Sequence, residues 1–313
     1  MIRSTYVMTK LNSGDTSSWD HARAYAQLLG KVPSSFTTAI RQLKADHDKG
    51  IPMSRATAFQ AGRLCRSPSL SASLMGAAKS YFPEMKIQEE AQLVQHLPID
   101  SIAGLLGTAF YYFRVKKLAN YDEWTQYAKG LPNRVELGGA VGKYIPRIGV
   151  SRGILAGAFD TIALTAFHLH DKKGFTDYRR FLKNKSKRED LTYENDRWGC
   201  TRYNVASILI QTLGFGVEFA NSYAVGMLAT DSEEKSLFGD AYCFRLTRIW
   251  IDALDDLGCE PDRAMRVEYY PDAAELSLLR ERASRLLTAP LSISWLDKTK
   301  KDVEHIEDSG ESS

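Results

Sequence analysis

Strand signals are what this sequence has least of. Alternating apolar and polar runs are scarce along all 313 residues, which excludes a sheet-based fold. Cysteine is also rare. Cys65, Cys200, Cys243 and Cys259 have no CxxC spacing and sit among apolar neighbours, so neither a zinc knuckle nor a disulfide framework is expected. They read as small buried residues of a reducing compartment. An excess of one charge is missing as well: the formal net charge is +3, with both signs mixed along most of the chain, too weak a field to hold nucleic acid by itself. No long apolar run is uninterrupted. IGVSRGILAGAFDTIALTAF contains Arg152 and Asp160, which argues against a membrane span, and MIRSTYVMTKLNSGDTSSWD lacks the apolar centre of a signal peptide. A cytoplasmic protein is expected, with no membrane and no nucleic acid among its partners. There is no glycine-rich phosphate loop, nucleophile elbow or HExxH. GGAVG (138–142) follows no strand and reads as a tight helix contact.

What is there is helix after helix, because apolar residues recur at three- and four-residue spacing. PSSFTTAIRQLKADHDKG is the first clear one, with Phe36, Ile40 and Leu43 as its stripe, Ser34 or Ser35 as its cap and Gly50 at its end. ATAFQAGRLC follows. SPSLSASLMGAAKSYF places Pro68 in a first turn, and IDSIAGLLGTAFYYFRVKKLA is expected to be capped by Asp100 or Ser101. Within NYDEWTQYAKGLPNRVELGGAVGKY (120–144) Pro132 starts a new turn and does not sit deep in one helix; the apolar segment and FTDYRRFL follow. In RYNVASILIQTLGFGVEFANSYAVGML, Gly214 and Gly216 break the run in two, and Val205, Ile208, Leu209 and Leu213 form a face expected to be buried. FGDAYCFRLTRIWIDALDDLG and AAELSLLRERASRLL complete the set. The basic run KNKSKR (183–188) has no interleaved aromatics and reads as a solvated loop. After Ile306 the charged end has almost no apolar side chains and is expected to be mobile.

One doublet raises the possibility of chemistry. FHLHDKK places His170-Asp171 directly after the apolar run. A metal-dependent HD hydrolase needs such a doublet together with ligands from separate helices, so that a divalent ion can acidify a water. His168 and His170 are roughly 200° apart on a helix and cannot share a metal on one face. Lys172 and Lys173 oppose a cation, and His21, His47, His96 and His305 lie in no helpful place. A helix-end histidine and a turn or capping aspartate is the reading that fits.

The order of segments resembles the HDOD family of bacterial signalling domains. SPSL (67–70), AAKSYF (77–82) and IAGLLG (102–107) correspond to the turn and helix landmarks of the first half of that family. Trp124 in EWTQYA, Ala156-Gly157 in LAGAFDTIA, and Glu194 and Gly199 in ENDRWGCTRYN correspond to landmarks of its relic HD half. By this resemblance Gln126 stands where the first histidine would be, Asp160-Thr161 where the His-Asp doublet would be, and Thr201 where the later histidine would be. His170-Asp171 then falls about ten residues too late.

The resemblance implies an all-α, multi-helical HDOD-like bundle with a relic HD half over residues 32–227. Residues 1–31 are expected to be an amino-terminal extension, 228–296 a helical extension packed on the domain, and 297–313 a mobile charged tail. It further implies a non-catalytic signal-transduction protein that contacts a protein partner, with no catalytic residue, no metal ligand and no cofactor. No receiver, GGDEF or EAL segment occurs in the sequence, so input is expected from a partner in trans. The alternative is a metal-dependent phosphohydrolase acting on a nucleotide through His168, His170, Asp171 and a distant carboxylate.

Overall fold

The computed structural model describes residues 16–85, 87, 93–119, 124, 128–263, 265–288 and 295–296, and among them every regular element is a helix. The chain is an all-α multi-helical bundle. Its first half consists of α1 Thr16–Leu28, α2 Ser34–Asp48, α3 Arg55–Leu64, α4 Pro68–Tyr81, the single turn α5 Leu93–His96, and α6 Ile99–Leu118. Then come α7 Leu131–Tyr144, α8 Val150–His170, α9 Lys172–Asn184, α10 Leu191–Trp198 and α11 Arg202–Ile210. A π turn, Gln211–Phe215, leads into α12 Val217–Leu228, which α13 Asp231–Glu234, α14 Gly239–Leu257 and α15 Ala273–Thr288 follow.

The helix ends follow from the local sequence, with two corrections. Pro68 occupies the first turn of α4, and the Ser54 side chain caps α3 by accepting from the Thr57 N–H. Gly214 (φ 112°) and Gly216 (φ 90°) adopt backbone angles that side-chain-bearing residues avoid, which is why α11 and α12 are separate. Neither Ser34 nor Ser35 caps α2: the capping position is Pro33, which brings no side-chain acceptor. Nor do Asp100 and Ser101 cap α6, which begins after Pro98. Asp100 instead accepts from the Ser151 N–H at 3.1 Å, and the Ser151 hydroxyl donates back to the Asp100 carbonyl at 2.7 Å. Its carboxylate therefore satisfies a free N–H at the start of α8, where the helix dipole favours negative charge.

α8 is the axis of the bundle, buried along almost its whole length. It lies closest to α7, and glycine makes that approach possible. A methyl group on Gly138 would overlap the Gly153 carbonyl, one on Gly142 the Gly149 carbonyl, and one on Gly157 the Arg134 carbonyl. GGAVG is thus a helix-contact sequence, as its lack of a preceding strand implied. The charge of Arg152 within this apolar helix is met by Asp240 at the start of α14, whose carboxylate accepts from Nε at 2.8 Å. Of the described helices only α8 is long and apolar enough to cross a membrane, and 89% of its most apolar window is buried inside the bundle.

Two apolar clusters share α7. One gathers α1 to α12 around α8, and the other joins Leu137, Ala140 and Val141 of α7 to Trp250 and Leu254 of α14 and Leu279 of α15. Residues 228–288 therefore close over the outer face of α7. The sequence reading assigned no helix before residue 34, yet α1 buries Ala22, Tyr25 and Ala26, with Leu29 just after its end, in the core around α8 and α11. Their spacing of three, one and three residues was a legible helical stripe.

The carboxyl-terminal segment is anchored by one aromatic residue. Trp295 is fully buried. Its indole N–H donates to the Tyr81 hydroxyl at 2.8 Å, and its backbone N–H to buried Glu136 at 3.2 Å. Arg282 of α15 supplies the balancing charge, donating to Glu136 at 2.6 Å. Residues 297–313 lie outside the described residues. Removing them is expected to change stability by no more than about 0.5 kcal/mol, whereas Trp295→Ala should cost about 3–5 kcal/mol. Urea unfolding of the two variants checks both values.

The expected apolar face of α11 is buried, with Val205, Leu209 and Leu213 fully so, and every other side chain of α11 is buried as well. Leu209→Ala should cost about 2–5 kcal/mol by the same measurement, because the cavity it leaves is enclosed on all sides.

Candidate functional site

A cleft of about 900 Å³ has one face of α8 as its floor. Asp160, Thr161, Leu164 and His168 line that floor, at spacings that put them on a single side of the helix. The start of α7 forms one wall, and the Gly157 contact fixes its position. Gly157 lets the Arg134 backbone rest on α8 one turn before Asp160, so the Arg134 side chain enters the cleft beside that carboxylate. α9 forms the opposite wall. The loop from 185 to 190, the first turn of α11 and one face of α14 complete the boundary.

The inner end is an arginine-rich charge network. Arg134 donates to Asp252 at 2.9 Å and to Asp255 at 3.3 Å. Its Nε–H is buried and has no acceptor among the described residues. Burial alone would lower the pKa of this guanidinium, but Asp160, Asp252 and Asp255 outweigh it and hold the group above the usual arginine range. Arg188 binds Asp252, Asp255 and Asp256. Arg248 binds Glu189, which also accepts from the Tyr203 hydroxyl. Burial, and after it Glu189, pushes that phenol well above its ordinary range, so Tyr203 serves as a donor and not as a base.

At the back wall of the cleft, Arg202 is locked to Glu194. The Arg202 Nε–H donates to one carboxylate oxygen at 2.7 Å and its backbone N–H to the other at 2.8 Å, while the Tyr178 hydroxyl also donates to Glu194, at 2.6 Å. Removing one member of so deeply buried a pair leaves an uncompensated charge, a loss of about 3–5 kcal/mol. The network fixes α9, α10 and α11 relative to one another.

The residues singled out from the sequence do not converge. His168 lines the floor, buried, its ring edge-on to Phe175 with centroids 5.3 Å apart. His170 is exposed at the end of α8, its ring 5.1 Å from that of Tyr25. Asp171 is the cap of α9, accepting from the Gly174 N–H at 2.9 Å and from Arg197 at 2.7 Å. The His-Asp doublet is thus a helix end followed by a helix start. Asp160 and Thr161 are on the cleft floor, where the Thr161 N–H donates to Asp160 at 2.6 Å. Thr201 caps α11 with Asn204 as its reciprocal partner, and Gly199 closes α10 at φ 70°. Trp124 packs edge-on against Tyr112. Gln126 lies outside the described residues. Asp160 and His168 are eight residues apart, about 12 Å along a helix, too far to bind one ion together. Among the described residues no three His, Cys, Asp or Glu side chains gather in a form that could hold a metal.

The basic run has a second role beside the expected one. All of residues 183–188 are exposed, as a solvated run requires, but Lys183, Lys187 and Arg188 also line the cleft and Arg188 is tied to α14, so the run forms part of a wall of the site as well. Sequence reasoning missed Arg134, Arg202 and Arg248, which are scattered over the chain. The spacing of Arg248, Asp252 and Asp255 marked one charged face of α14, but nothing local indicated what that face meets. No family model, curated protein or solved structure matches the chain.

Asp171→Ala should cost about 1 kcal/mol at neutral pH through loss of the cap. The Gly174 N–H, and after it Arg197, hold the Asp171 carboxyl below its ordinary value. A carboxyl with a lowered folded-state pKa contributes its stability above the unfolded value of about 3.9 and loses it as pH falls through the folded value. The gap between wild type and variant should therefore shrink as pH falls below the unfolded value, and urea unfolding across pH measures it.

Proposed function

We propose that the chain is an HDOD-like, non-catalytic regulatory module that acts in a bacterial cytoplasm by contacting a protein of a signalling pathway. The observation that carries this reading is the chemistry of the cleft floor. Where the HDOD resemblance assigns a metal doublet, the chain has Asp160-Thr161, with the guanidinium of Arg134 beside it and those of Arg202 and Arg248 in the same cleft. Such a field opposes a divalent cation and favours an anion. The competing metal-dependent phosphohydrolase reading needs His168, His170 and Asp171 to act together, and the capping bond and the Arg197 pair already engage Asp171.

A docking role is further supported by exposed apolar side chains at the ends of α14 and α15. Leu257 is 72% exposed and Leu287 53%, and the Leu287 side chain lies beside Gly258, the residue after Leu257. Burying large apolar groups on a partner is the usual source of affinity at such places.

The decisive test uses chelator-treated full-length protein. Manganese, nickel or iron should leave its Tm unchanged, because only a ligand that prefers the native state stabilises it, and no phosphate should be released from nucleotides or phosphodiesters. A metal-dependent rise in Tm that His170→Ala with Asp171→Ala abolishes, together with turnover, would sink the reading. In a pull-down, a partner retained by the wild type should be lost with Leu257→Asp.

A further inference from the structure

We propose that the cleft between α7, α8, α9 and α14 binds a small anion with two or more linked phosphate groups. This goes beyond the protein-contact reading and concerns a different surface.

The charge balance of the cleft is the first ground. Nine lysine and arginine side chains line it against four carboxylates, although the whole chain has a net charge of only +3. The distribution is the second. The carboxylates Asp252, Asp255 and Glu189 are bound to arginines of the inner wall, whereas no acidic residue of α9 faces the cleft. On α9 Arg180 pairs with Asp177, which lies outside the lining, and Lys172, Arg179 and Lys183 add further cations to the same wall.

The length of that wall sets the kind of anion. Lys172 and Lys183 are eleven residues apart on one helix, about 16 Å, with Arg179 between them on the same wall. One phosphate cannot reach both ends, but a chain of phosphates can follow the row. The inner wall adds planar donors suited to phosphate oxygens. Arg134 is held in place by two carboxylates and retains an N–H with no acceptor among the described residues. Holding donors in place beforehand reduces the ordering cost of binding. Arg188 is at the mouth, its side chain 45% exposed. Just before it, Ser186 (φ 50°) is the one non-glycine residue in the left-handed region among those described, and the turn it makes precedes two cleft-lining cations, Lys187 and Arg188.

A nucleic-acid strand fits less well. The cations line a concavity, and the segment from 183 to 188 has no aromatic ring on which bases could stack.

Isothermal titration and thermal melting of the full chain with sodium tripolyphosphate, pyrophosphate and orthophosphate test the proposal. Tripolyphosphate should raise the Tm and bind at least about tenfold more tightly than orthophosphate, as added charge-assisted contacts require. Lys183→Glu, an exposed change that leaves the core intact, should weaken it by about tenfold, and Arg188→Ala by a similar factor. Lys117→Glu alters net charge equally but lies on α6, away from the cleft, and should change affinity by less than about twofold. The proposal fails if tripolyphosphate gives neither heat nor a Tm shift at millimolar concentration, if Lys117→Glu weakens binding as much as Lys183→Glu, or if a random single-stranded oligonucleotide binds more tightly than tripolyphosphate. Binding accompanied by release of orthophosphate would support the site while overturning the non-catalytic reading, so the two failures are distinguishable.

Discussion

Everything in the bundle is arranged around the close approach of α7 and α8. Helices that meet through ordinary side chains are held 8–10 Å apart, but here four glycines, Gly138, Gly142, Gly153 and Gly157, let backbone rest directly on backbone. That contact fixes which side of α7 remains for the second apolar cluster and which side of α8 becomes the cleft floor. It also sets Arg134 beside Asp160. Both cores and the charged site thus depend on side chains that are missing, and the tolerance for any added atom along this seam is small because interiors are packed to crystal density.

The polar interior follows a consistent rule. Each buried glutamate has an arginine from another helix: Glu194 with Arg202, Glu136 with Arg282, and Glu234 with Arg245. Pairs of this kind add little net stability compared with apolar packing, yet they strongly disfavour arrangements in which one partner is left alone. They therefore select one packing of the helices more than they strengthen it. Around the cleft the same device is used with a surplus of cations, which turns a structural element into an electrostatic one.

Much of the fold was legible because helical periodicity is local. The stripe of Phe36, Ile40 and Leu43, the break at Gly214 and Gly216, and the contact role of GGAVG all follow from short stretches. Capping was less legible: Asp100 looked like the start of its own helix and serves another, since a carboxylate at a helix start satisfies whichever N–H is nearest in space. The cleft was least legible. Its inner wall draws Arg134, Arg202 and Arg248 from three separate helices, and the sequence distance between them carries no trace of their meeting. The His-Asp doublet misled in the opposite way, because two adjacent residues suggest cooperation, whereas one ends α8 and the other begins α9.

The Trp295 anchor has a consequence for synthesis. Tyr81, Glu136, Arg282 and Trp295 form one buried cluster, although the first and last are 214 positions apart. Chains emerge from the ribosome at about 5–20 residues per second, so the pocket made by α4 and α7 exists for many seconds before the residues that fill it are made. Through that interval the Glu136 carboxylate lacks both its guanidinium and its indole neighbour. The nascent bundle must stay open to water at this seam until Trp295 has been made, so synthesis of one late residue times the closure of an early pocket.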